Sequence, residues 1–234
     1  MKRIVLFSEE SIFSGNVKCG IAEVVDSLAL TLAKNYEVYV VCQEGTSVPS
    51  RRFVDFEEVD EDTSYALAMK IHYYVLKEKN WSSRSIEIVN SIRPDIIHNF
   101  CEPALISKLK ARPSVSIFTF DDIEFLEDKL DFLDDYDFIT TFSSGYRDYV
   151  LSLSGPVADK LRFLNFPKVK CGIAAEIFNP SAGLFLKAPY SSANIEDKEP
   201  NKKQLLDFIK CEENKPIFLT MGNISQKKGA DLIL

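Results

Sequence analysis

The chain opens with the pattern that most limits what it can fold into. An apolar run, a glycine-bearing polar loop, an amphipathic stripe and a second apolar run follow one another directly. Residues 2–7 (KRIVLF) read as a buried parallel strand. Residues 8–19 form a polar loop holding Gly15 and Lys18. Apolar residues then recur at helical spacing, at Ile21, Val24, Val25, Leu28 and Leu32. Residues 36–42 (YEVYVVC) read as a second strand. Strand, loop, helix and strand in this order open a Rossmann-like, doubly wound α/β domain, which gathers its ligands at the carboxyl edge of a parallel sheet.

The alternation continues along the chain. Strands are expected at 95–100 (DIIHNF), 114–120, 138–142 and 163–170, the last broken by Pro167. Helices are expected at 65–79, at 83–92 before Arg93-Pro94, and from Ser143 or Ser144 as N-cap. Residues 54–62 read as acidic and irregular, and 121–137 as acidic with an apolar stripe. Residues 172–198 form a polar excursion rich in Ser, Pro and Gly. A short helix (201–210), a strand (215–221, KPIFLTM), a loop (222–229) and a helix start (230–234) follow. A lone strand–loop–helix start cannot bury its own faces. The expected organisation is therefore a parallel α/β domain over 1–185. Residues 186–234 are expected to be a linker and the truncated start of a second domain.

Composition narrows the function. Of 234 residues, 46% are hydrophobic and 27% charged, which suits a globular protein. No run reaches about 18 apolar residues, so no membrane span is expected. Residues 1–7 are too short for a secretory leader. The five cysteines lack paired spacing and read as free thiols in a cytoplasmic protein. Only two histidines occur, His72 and His98, which argues against a multi-histidine zinc centre; no metal or cofactor is expected. A net charge of -7 opposes nonspecific nucleic-acid binding. Trp81, Tyr73 and Tyr74 are either a sugar-stacking platform or helix packing.

The motifs, taken in order, resemble the bacterial glycogen synthases and plant starch synthases. IVLFSE (4–9) resembles the family's first strand with its Ser-Glu, and GIAEVV (20–25) resembles G-L-A-D-V-V. PDIIH (94–98) resembles the family's Pro-Asp, two aliphatics and His. IFTFDDI (117–123) stands where the family has F-T-I-H-N-L, and TTFSSGY (140–146) resembles T-T-V-S-x-x-Y. Gly172-Ile173 with Phe178-Asn179-Pro180, then APYS (188–191) with Asn201-Lys202, resemble further family stretches. GNISQKKG (222–229) resembles S-R-L-x-x-Q-K-G at the opening of the second domain.

The resemblance implies the N-terminal half of a two-domain GT-B glycosyltransferase. It implies transfer of glucose from ADP-glucose or UDP-glucose to an α-1,4-glucan, with retention. Such chemistry must hold a diphosphate and stabilise it as it leaves, using helix N-termini and cationic side chains. By resemblance, Lys18, Gly20, Glu23 and Asn223 fall at donor-binding positions, Asp121 and Lys228 at catalytic positions, and His98 at an acceptor or sugar contact.

Several positions depart from the family pattern. The K-x-G-G loop is one residue shorter, so either Lys18 reaches the site through a shifted loop or Val17 takes its place. Asn223 replaces an arginine and supplies no charge. Asp121 replaces a histidine and brings a carboxylate to where negative charge develops. Cys101-Glu102 replace an Asp-Trp pair, and His98 is either a site residue or a strand-end structural histidine. Two functions are therefore expected: a divergent glucan synthase, or a catalytically degenerate relative that binds glucan, nucleotide or a partner. A dehydrogenase is disfavoured because no G-x-G-x-x-G occurs.

Overall fold

A computed structural model describes residues 1–11, 14, 20–45 and 56–169. These lie in one compact unit, Met1–Gly172. Lys18, Asn223, Lys228 and the whole of 186–234 lie outside the described residues.

Eight strands form one sheet in the order β3-β4-β5-β2-β1-β6-β7-β8. They are β1 (Arg3–Phe7), β2 (Glu37–Gln43), β3 (Glu57–Asp60), β4 (Thr63–Ala68), β5 (Ile71–Leu76), β6 (Ile96–Asn99), β7 (Val115–Phe120) and β8 (Phe138–Thr141). From β5 to β8 every neighbouring pair is parallel. The hairpin edge of β3, β4 and β5 is antiparallel. The expected doubly wound α/β sheet is present. The chain leaves β1 toward β2, then returns across it to β6, so the strand order reverses between β1 and β6. In such sheets that point opens a crevice at the carboxyl ends of the strands.

Both faces are covered. Helix α1 (Ile21–Leu32) turns Val25 and Ala29 onto one face, where they meet Ile4, Leu6, Val38, Val40 and Tyr73. On the other face α2 (Trp81–Ile92), α3 (Ser144–Ser152) and α4 (Pro156–Phe163) join two 3₁₀ segments, Pro103–Lys108 and Glu124–Asp135. Their Val89, Leu105, Leu126, Leu133, Val150 and Leu161 enclose Val5, Phe7, Ile97 and Phe118. Among the described residues no helix is long and apolar enough to cross a membrane.

Ser143 caps α3: its Oγ accepts the Tyr146 N–H at 3.0 Å. Ser143→Ala is expected to cost about 1 kcal/mol in denaturant unfolding. An unchanged midpoint would show the cap to be idle.

Three expectations are corrected. Residues 65–79 are not a helix but the β4–β5 hairpin, joined by Met69 and Lys70 at φ 52 and 66. Two left-handed residues make the tight turn that matches strand twist, usually signalled by Asn or Gly. Here neither is present, so the alternating run IHYYVL was the remaining strand signal. Residues 57–60, expected as irregular, form the exposed edge strand β3, whose Glu57, Glu58 and Asp60 suit an unpaired edge. Residues 163–170 hold no strand over the described part. The Asn165 carbonyl accepts from Ile139 N–H at 2.9 Å. Pro167 has no N–H with which to continue that ladder. His72 accordingly sits on β5, with Tyr65 Oη 2.8 Å from its Nδ1 and the Tyr39 ring stacked at 4.5 Å. Tyr73 is fully buried and Trp81 packs on Phe7 at 4.9 Å, so both serve the core.

Candidate functional site

The strand-order reversal places the ends of β1 and β6 side by side, with the end of β7 next to them. A cleft of about 140 Å³ opens there. Ser8, Glu9 and Glu10 line it from the end of β1, Ile21 from the first turn of α1, Phe100 and Cys101 from beyond β6, and Phe120, Asp121 and Phe125 from beyond β7. Parallel strands end in the same direction, which is why residues far apart in sequence converge here.

Asn99 shapes the β6 wall. It is fully buried, and its Oδ1 accepts the N–H groups of Cys101 and Glu102 at 3.0 and 3.1 Å. Its Nδ2 donates to the Glu102 carbonyl at 2.5 Å and to Tyr136 Oη at 2.6 Å. The Glu102 carboxylate then accepts from Ala104 N–H at 3.0 Å and caps the following 3₁₀ segment. The β1 side is tied to α1: Ser11 Oγ donates to both oxygens of buried Asp26 at 3.1 Å, and Tyr73 Oη donates to the same carboxylate at 3.4 Å.

The electrostatics of the cleft are acidic. Glu9, Glu10 and Asp121 line it, and its described lining contains no lysine or arginine. Burial pushes the Cys101 thiol well up, and the Glu9 carboxylate adds to this, so the sulfur stays protonated. That removes it as a ready nucleophile. Among the described residues no group of three or more His, Cys, Asp or Glu is placed to hold a metal ion. The lining sets carboxylates, which are hydrogen-bond acceptors, beside the phenyl rings of Phe100, Phe120 and Phe125. That combination suits a neutral, hydroxyl-rich ligand: hydroxyls donate to carboxylates, and C–H faces pack on rings.

The expected site residues fall out as follows. Asp121 is exposed and lines the cleft. Gly20 is the N-cap of α1, next to the lining residue Ile21, at φ -69 and ψ -9. Its backbone needs no glycine, and a Cβ there would meet nothing within 4 Å. Glu23 is exposed in the first turn of α1, where a carboxylate suits the helix dipole, and is not in the cleft lining. His98 is not in the lining either; it stacks on Phe100 at 4.2 Å between centroids. Burial holds its pKa down at about 4, so the ring is neutral at neutral pH. Sequence reasoning did not single out Glu10, Asn99, Phe100 or Phe125 as site residues. Their signal was position: each directly follows, ends or lies just beyond a strand meeting at the reversal.

No protein-family model matches the chain. A glycogen synthase from Finegoldia magna is 30% identical over 125 residues, covering 47% of this chain and 26% of that protein. One from Rhizobium tropici is 28% identical over 102 residues, covering 41% and 21%. One from Flavobacterium johnsoniae is 36% identical over 63 residues, covering 26% and 13%. The matched segments thus span about a quarter or less of these curated relatives. Among solved structures, sucrose-phosphate synthase from Thermosynechococcus elongatus shares the fold with a TM-score of 0.52 at 10% identity, over 76% of this chain and 50% of that one. Through these partial matches the chain is related to the glycogen synthases, and the solved structure agrees in fold alone.

Proposed function

We propose that this chain supplies the acceptor-side domain of a glycosyltransferase that moves glucose from ADP-glucose or UDP-glucose to an α-1,4-glucan, with retention. The observation that carries the reading is the cleft at the strand-order reversal, which joins three carboxylates to phenyl rings. It suits the hydroxyls of an acceptor saccharide and repels a diphosphate. Donor phosphates would then fall to Lys18, Asn223 and Lys228, with Gly20 and Glu23 at the α1 end. Asp121 sits at the acceptor hydroxyl, and 186–234 begin the donor-binding domain. We place the protein in the cytoplasm, with no cofactor.

A second reading is a catalytically degenerate relative that binds glucan. It is favoured by Asp121, whose charge opposes a departing diphosphate. Maltooligosaccharide titration by NMR, with release of ADP or UDP from the sugar nucleotide, separates the two. Saccharide binding with nucleotide release supports transfer; binding alone supports the degenerate relative. No saccharide binding defeats both. Asp121→Ala is expected to weaken maltooligosaccharide about tenfold, the worth of one charged hydrogen bond, without weakening the sugar nucleotide.

A further inference from the structure

On the sheet face that α1 covers, three polar side chains stand in line on neighbouring strands. His98 lies on β6, Thr119 on β7 and Thr140 on β8. His98 pairs in register with Leu6, which packs with Val25 and Ala29 of α1. Thr119 and Thr140 are register partners, only 5% and 8% exposed. His98 Nε2 lies 2.7 Å from Thr119 Oγ1, which lies 2.5 Å from Thr140 Oγ1. Thr140 Oγ1 in turn donates to the Phe118 carbonyl at 3.4 Å.

The Phe118 carbonyl offers the line an end that can only accept. A carbonyl can only accept, and each threonine hydroxyl has one proton to give. We take Thr140 to give its proton to Phe118, in which case it accepts from Thr119. Thr119 then has no proton left for His98 and must accept from it. The imidazole is therefore the Nε2–H tautomer. The neutral state imposed by burial agrees. The same ring lies against Phe100, centroids 4.2 Å apart and planes 24° apart, and Phe100 lines the cleft.

We propose that the Thr119–Thr140 hydroxyl line locks the His98 ring in place as the backing of the Phe100 wall. His98 is thus a positioning residue for the ring that a ligand's apolar face packs against. Phe100 is 5% exposed, so a small rotation of its backing ring changes how much of it the cleft presents. The ligand class, a pyranose face, rests on the saccharide reading above; the lock itself does not.

Nitrogen NMR of the full chain with labelled histidine tests the lock without ligand. Expected are a protonated Nε2 and an unprotonated Nδ1 for His98, constant through the neutral range. Thr119→Val removes the acceptor; it is expected to mix the tautomers and shift the Phe100 ring signals. Thr119→Ser is expected to restore both. Maltooligosaccharide affinity should fall about two- to tenfold in Thr119→Val, the worth of one neutral hydrogen bond, and return in Thr119→Ser. An Nε2 without a proton in the unaltered chain overturns the inference. So do His98 and Phe100 signals that ignore Thr119→Val. A chain with the locked tautomer and the Thr119 response but no saccharide affinity upholds the positioning role and overturns the saccharide reading instead.

Discussion

Asn99→Ala is expected to destabilise the protein by about 3 kcal/mol or more, a fall in Tm on the order of 10 °C. The size follows from what one side chain holds. Asn99 accepts from two backbone N–H groups and donates to a carbonyl and a phenol, in a site with no exposure. Alanine leaves the Cys101 and Glu102 N–H groups without that acceptor and the Tyr136 hydroxyl without its donor. A buried group without its partner costs about 1–3 kcal/mol, so the network is worth more than any single bond in it. Tyr136→Phe removes only one end and is expected to cost about 1 kcal/mol. Calorimetry on both variants decides the matter. A loss below about 1 kcal/mol for Asn99→Ala would mean that the loop holds its shape unaided. The same variant is expected to loosen the Phe100–Cys101 wall, so under the proposed function maltooligosaccharide affinity should fall with stability in Asn99→Ala and stay near normal in Tyr136→Phe.

Acidification is expected to remove up to about 3 kcal/mol of stability as pH falls from about 6.5 to about 4, through His98. The unfolded imidazole titrates at its ordinary 6.5, whereas burial holds the folded one at about 4. Between these values the unfolded chain binds a proton that the folded chain refuses. Stability is therefore complete above 6.5 and drains away as pH falls toward 4. Asp137 acts lower down. Burial pushes its carboxyl up, but two hydrogen bonds from Ser116, with Arg112 beside it, outweigh this and hold it below 3.8. Its contribution fades only below that value. Denaturant unfolding at a series of pH values, with His98→Gln as reference, isolates the histidine. The difference between the two proteins should grow with acid over this window. Parallel curves would show that His98 titrates alike in both states.

The two-residue turn at Met69-Lys70 marks where local reading fails. Its left-handed backbone is imposed by the pairing of β4 with β5, not by residues that prefer it. A helix was the natural reading of 65–79 until that pairing is known. The C-terminal side of Phe163 fails for a related reason: an apolar run became a single ladder contact because Pro167 cannot extend it. By contrast β1, α1, β2, β6, β7, β8 and α2 were legible. Their signals, a buried run or a 3.6-residue stripe, are carried by neighbours in sequence.

The candidate site divides in the same way. Asp121 and the Gly20 end of α1 were marked by motif and by their place beyond a strand. The tie from Asn99 to Tyr136, the bond from Ser11 to buried Asp26, and the line from His98 through Thr119 to Thr140 were not. The pairs Ser11–Asp26, His98–Thr119 and Asn99–Tyr136 lie 15, 21 and 37 positions apart. The sequence by itself determined the order β1, α1, β2, α2, β6, β7 and β8, and hence that these parallel strand ends would meet at one edge. Only the tertiary structure decided which side chains that edge gathers and which protons they hold. Burial and hydrogen-bond partners belong to the packed sheet, because they are set by strands that local sequence cannot bring together.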